Sequence, residues 1–287
     1  MKKIPYLHII LFFLTCLSTL SAGALQQGIN IIKHPGRIIE GLPFAGTLMT
    51  ILLCHELSHY FASKKNHTVA TLPYFIPAPS IFGTFGAFIK MKSPIITRKA
   101  LIDIGASGPI AGFVVSVAAC IIGLSLSKVI PLPPAAAGDG ALSLGDSLLF
   151  SFLSRIVLGP TPEHYDILLH PIAFAGWIGL FVTSLNLIPI GQLDGGHIAY
   201  AMLGERHRHV SRILVVVLAV LGLSSLLGFS GWEGWLVWAI LMLVLGIKHP
   251  PVLYWETPLD PRRTVIGLVS LAIFIITFIP SPFKISL

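Results

Sequence analysis

The sequence predicts an all-α polytopic membrane protein with about six or seven transmembrane helices, about one per twenty apolar residues. Three observations predict it. Hydrophobic residues make up 54% of the 287 and charged residues only 11%, with a mean hydropathy of +0.86. Soluble domains carry about 25% charge. Chargeless or nearly chargeless runs recur along the whole chain, and the basic residues are spread unevenly between the connections. The expected organisation is one integral membrane domain over residues 1–287, with little room for a separate soluble domain.

In chain order the apolar runs fall at about 5–25, 42–62, 101–127, 168–190, 213–229, 234–247 and 265–280. The first has a competing reading, because Met1-Lys2-Lys3, an apolar stretch and Ser21-Ala22-Gly23-Ala24 also suit a signal peptide. The stretch continues to about Ile32, long for a signal core, which favours a retained helix. With seven spans and a cytoplasmic N-terminus, 14 of the 19 Lys and Arg residues fall inside; Lys33, Arg37, Lys128, Arg155 and Lys284 fall outside. This is the positive-inside pattern. The net charge of +7 is thus a topological signal, and no nucleic-acid partner is expected. The Lys-Lys start suits a bacterial inner membrane, with a chloroplast or archaeal membrane as the alternatives.

Two segments break the helical pattern. Residues 66–97 are rich in Pro, Gly and aromatics. Residues 128–167, with Asp139, Asp146, Glu163 and Asp166, are expected to form an outer loop too short for an independent domain. Cys16, Cys54 and Cys120 all lie in expected spans without a CxxC pair, and read as small buried residues.

The chemistry concentrates in His55-Glu56-Leu57-Ser58-His59, an HExxH motif following the chargeless run Gly41 to Cys54. On a helix, His55 and His59 stand one turn apart on one face and can both hold zinc, while Glu56 can take a proton from water beside them. Ionisable groups inside a membrane are functional by default. A catalytic zinc site needs a third protein ligand. Glu233 sits in an expected outer turn, and Asp103 is expected to cap its helix or pair with Arg98 or Lys99. Asp194 is the better candidate. It closes the expected fourth span after Pro189 and Gly191, which interrupt the helix, and precedes Gly195 and Gly196, which permit close backbone approach.

HExxH in one span, with Asn186-Leu187-Ile188-Pro189 and Leu193-Asp194-Gly195 in a later one, resembles the site-2 protease family of intramembrane zinc metalloproteases. The resemblance covers about residues 42–205, the expected catalytic core. It implies that His55, His59 and Asp194 bind Zn²⁺, that Glu56 is the general base, and that Asn186 positions substrate or stabilises the oxyanion. Gly83 to Lys90 is similar to the family's small membrane-associated β-segment, expected after the HExxH helix. Ser107 to Gly112 also recurs in relatives, and its Gly108-xxx-Gly112 spacing signals close helix packing. The implied activity is hydrolysis of peptide bonds in or near transmembrane segments of membrane-protein substrates within the lipid bilayer. A zinc protease cutting soluble or juxtamembrane segments, a zinc transporter and an inactive scaffold are the alternatives. A transporter needs polar residues across several spans, and these spans are nearly empty of them. His197 reads as a polar turn residue, and Glu205 to His209 as a headgroup-facing loop.

Overall fold

A computed structural model describes residues 5–131, 142–229, 231–256 and 258–285. In chain order the helices are α1 (Tyr6–Gln26), α2 (Leu42–Lys65), α3 (Arg98–Ser125), α4 (Leu148–Leu158), α5 (Pro171–Asn186), α6 (Asp194–Leu203), α7 (His207–Leu226), α8 (Gly234–Leu245) and α9 (Pro261–Thr277). The strands are β1 (Tyr74–Pro77), β2 (Thr84–Phe88), β3 (Lys128–Pro131), β4 (Leu142–Leu144), β5 (Tyr165–Leu168) and β6 (Phe283–Ile285). They divide into two compact units. One comprises Met1–Pro94, Ile110–Lys128 and Leu168–Leu180; the other comprises Ile95–Pro109, Val129–Ile167 and Phe181–Leu287.

In the first unit, α1 is an uninterrupted apolar helix whose threonine hydroxyls bond back to its own carbonyls. Thr15 Oγ1 donates to Leu11 O at 2.8 Å, and Thr19 Oγ1 to Thr15 O at 2.7 Å. Such local bonds satisfy hydroxyls without a partner helix. A Cβ on Gly23 would lie 2.6 Å from the Gly41 carbonyl, so small residues let the two backbones meet where the chain enters α2. Strands β1 and β2 form an antiparallel hairpin with Tyr74 opposite Phe88 and Phe75 opposite Ala87. The hairpin lies along α1: Ser18 Oγ donates to Gly83 O at 2.6 Å, and the His8 and Tyr74 ring centroids are 4.0 Å apart with the rings tilted by 37°. Gly83 has φ 74, and the space a Cβ would need is taken by the Ser18 carbonyl. The expected β-segment is therefore present, as β2 within residues 83–90.

In the second unit, Ser147 caps α4 by accepting from Phe150 N at 3.1 Å, and Asp260 caps α9 by accepting from Arg263 N at 3.0 Å. Arg263 also forks onto Asp103, with Nε to Oδ1 at 2.9 Å and Nη2 to Oδ2 at 2.6 Å. Trp235 of α8 is fully buried and donates its indole N–H to Pro280 O at 2.6 Å.

Among the described residues, four helical runs are long and apolar enough to cross a membrane: Tyr6–Gln26, Pro35–Lys65, Arg98–Ser125 and Asp194–Leu226. Helices α4, α5 and α8 are apolar but shorter. The expected fourth span ends early because residues 187–193 leave the helix, and the expected fifth begins early because α6 and α7 run nearly continuously from Asp194. The expected outer loop holds the α4 helix, and Asp139 lies outside the described residues. Asp103 pairs with Arg263 rather than with Arg98 or Lys99. Glu205, Arg206, Arg208 and His209 are exposed as expected, but they form a short 3-10 turn leading into α7 rather than a loop, and His207 is buried against Ser211 Oγ at 3.1 Å.

The Asp103–Arg263 side chains are 20% and 27% exposed, so the pair is shielded enough to matter. Asp103→Ala is expected to destabilise the fold by about 1–2 kcal/mol, read as a lower thermal unfolding temperature in detergent.

Candidate metal centre

The HExxH motif lies within α2, in the expected register. His55, Glu56 and His59 are each only 5% exposed. The two imidazoles converge, with Nε2 of His59 3.1 Å from Nε2 of His55 and the rings 4.8 Å apart. Two nitrogens bound to one tetrahedral zinc stand about 3.3–3.4 Å apart, given Zn–N bonds of about 2.0–2.1 Å. The pair therefore fits a zinc ion, with buried, soft-enough donors aimed at a common point.

Helix α3 gives α2 its close approach. A Cβ on Gly112 would lie 3.1 Å from His55 Nδ1 and 3.5 Å from His55 Cβ. One turn on, Ser116 Oγ bonds back to Gly112 O at 2.7 Å, and Gly179 of α5 fits against Ser116 and Ile51. One turn further, Gly176 faces Cys120, whose Sγ would be 2.8 Å from an added Cβ. Residues 112, 116 and 120 thus form a small-residue stripe at helical spacing. The packing expected of Gly112 is present, and the surface it packs on is the ring of His55. Cys120 is buried packing material, as expected.

The other two candidates lie in the second unit. Asn186 is the last residue of α5 and Asp194 the first of α6. Asp194 therefore opens a helix rather than ending one, which corrects the expected boundary. Between them the chain makes tight turns, with Ile190 N donating to Ile188 O at 2.8 Å and Leu193 N to Ile190 O at 3.2 Å. Gly191 has φ 56, and the place of its Cβ is taken by the Gly246 carbonyl. Gly195 fits against the Leu187 carbonyl, and a Cβ on Gly196 would lie 2.7 Å from Ile190 O. These glycines let α6 start directly on the turn. The start of a helix is a favourable place for a carboxylate, because unpaired N–H groups concentrate positive potential there.

His197 is on α6, not in a turn, and its Nδ1 lies 2.7 Å from Nε2 of His249. Tyr200 stacks on His249 at 4.4 Å, with the rings 12° from parallel. Arg98 sits 4.3 Å over the Trp255 ring and donates to Ala201 O at 2.9 Å. His249 itself was not legible as part of this cluster. In Lys248-His249-Pro250-Pro251 it carries no periodic signal. Burial, with His197 and His207 beside it, pushes its pKa down to about 3.

A helical chain with an HExxH pair inside a membrane-length helix defines the class as an integral membrane metalloprotein. The sequence profile of Peptidase family M50 matches residues 43–229. The chain belongs to that family, the site-2 protease family of zinc metalloproteases. It is 37% identical over 169 residues to "Probable zinc metalloprotease EGY1, chloroplastic" of Arabidopsis thaliana, covering 57% of this chain and 30% of the relative. It is 33% identical over 174 residues to "Probable zinc metalloprotease EGY2, chloroplastic" of the same plant, covering 58% and 30%. "Probable zinc metalloprotease EGY3, chloroplastic" of Oryza sativa subsp. indica is 28% identical over 267 residues, covering 85% and 43%. The matched part is thus less than half the length of these relatives. No solved structure matches the chain. The relatives' names place them in chloroplasts, so the expectation of a bacterial inner membrane finds no support in them.

Gly112→Val would push a branched side chain into the His55 ring. It is expected to weaken zinc binding by about 10–100-fold, the scale seen when the surroundings of a metal ligand are disturbed. Chelator competition on the purified variant measures this directly.

Proposed function

We propose that this protein is a zinc metalloendopeptidase that cleaves peptide bonds in or beside transmembrane segments of membrane-protein substrates. The observation that carries the reading is the buried His55–His59 pair, with Nε2 atoms 3.1 Å apart on a membrane-length helix that also buries Glu56. The family match spans both the HExxH and the Leu-Asp-Gly segments, which supports Asp194 as the third ligand. Held by His55, His59 and Asp194, zinc would supply a Lewis acid that polarises the scissile carbonyl and acidifies water.

The remaining work falls to side chains and backbone. Glu56 follows His55 in α2 and accepts the proton of the attacking water, then delivers it to the leaving amine. The Asn186 carboxamide offers N–H donors to the developing oxyanion. A helical substrate must unwind before attack, because its peptide bonds are shielded by their own hydrogen bonds. The two-stranded β1–β2 pair has outer strand edges, and an unwound segment added to one would be held by main-chain hydrogen bonds. Phe85, 74% exposed on β2, offers an apolar contact for such a segment. The catalytic core is residues 42–205, and the protein acts in a membrane.

Cleavage of a panel of single-span substrates by purified variants tests the reading. Glu56→Gln is expected to abolish cleavage with zinc content unchanged, because Glu56 serves the water and not the metal. Asn186→Ala is expected to keep zinc and slow cleavage by about 10²-fold. Full cleavage by Glu56→Gln would remove the mechanism.

A further inference from the structure

Helix α6 carries Asp194 and His197 three residues apart, on neighbouring positions of one face. His197 meets His249 through nitrogen atoms 2.7 Å apart, and chemistry sets the direction of that bond. His249 Nδ1 lies 2.6 Å from the Pro250 carbonyl, which can only accept. Nδ1 of His249 therefore carries the hydrogen. The depressed pKa keeps the ring neutral, so it has a single N–H and its Nε2 must be the acceptor. It follows that His197 donates from Nδ1. The stack on Tyr200, also on α6, holds the His249 ring plane. Beside it, the Gly246 carbonyl presses on Gly191, in the turn that leads to Asp194.

We propose that His249 is a positioning residue that locks His197 in its Nδ1–H tautomer and thereby holds the first turn of α6, on which Asp194 stands. The proposal rests on the reading of Asp194 as a metal ligand. It assigns a role to His249, in the segment between α8 and α9. Partners at one remove from a metal ligand orient it, and their loss costs about 10–100-fold in metal affinity or activity.

Two variants separate the bond from the packing. His249→Phe keeps a ring to stack on Tyr200 but cannot accept a hydrogen bond. His249→Gln can accept through its amide oxygen. Nitrogen-15 spectra of histidine-labelled protein read the His197 tautomer, and chelator competition reads zinc affinity. The wild type and His249→Gln are expected to show His197 protonated at Nδ1. His249→Phe is expected to lose that preference, to bind zinc about 10–100-fold more weakly, and to lower kcat with KM unchanged. Wild-type His197 protonated at Nε2, or His249→Phe with wild-type zinc affinity, would overturn the proposal. If His249→Phe fails to fold, the wild-type tautomer and the zinc affinity of His249→Gln decide, since a structural role alone predicts no tautomer. A wild-type protein that binds zinc with the expected tautomer but cleaves no substrate would instead count against the protease reading.

Discussion

Two imidazoles and a carboxylate buried on one membrane-length helix are the constraint on which the rest of this structure depends. Polar groups in an apolar interior cost several kcal/mol each, of order 2–7 without a compensating bond. His55, Glu56 and His59 sit on α2 at nearly full burial, so their surroundings must give them partners and hold them still. In the proposed reading a metal ion would satisfy the imidazoles and give the carboxylate its task. The small-residue stripe of α3 then becomes intelligible: Gly112 brings α3 onto the His55 ring, so the ring is braced by backbone rather than by a mobile side chain.

The second unit solves a different problem. A carboxylate offered at a break between two apolar helices needs a backbone that can stop being helical without leaving polar groups unsatisfied. Residues 187–193 achieve this with short internal hydrogen bonds and with glycines where carbonyls crowd in. The result is a new helix whose first residue is Asp194. Around that helix, Arg98 bonds Ala201 O, His249 meets His197, and Trp255 lies under Arg98, so α6 is held at several points along its length.

Long uncharged runs made α1, α2 and α3 legible in the sequence, because length and apolarity suffice to define a membrane helix. The HExxH register and the packing role of Gly112 were legible for the same local reason. The boundaries around Asp194 were not. Pro189 and Gly191 announce a break, but whether the carboxylate ends one helix or starts the next depends on how Gly195 packs on Leu187. Asp103 found Arg263 instead of its sequence neighbours, a tertiary choice across the unit that no window of residues contains. His207 was read as surface because charged residues flank it, yet Ser211 one turn on gives it a buried partner. Helix α4 was hidden by the proline- and glycine-rich segments around it, although Ser147 is an ordinary N-cap signal.

The most direct measurement of the central claim is X-ray absorption at the zinc edge, on zinc-loaded protein in detergent, for the wild type and Asp194→Ala. The expected wild-type shell has two imidazole nitrogens at about 2.0–2.1 Å and a carboxylate oxygen at about 2.0–2.2 Å. In Asp194→Ala the carboxylate contribution should vanish and zinc should bind more weakly. A shell unchanged by Asp194→Ala, or one built from three imidazoles, would contradict the assignment.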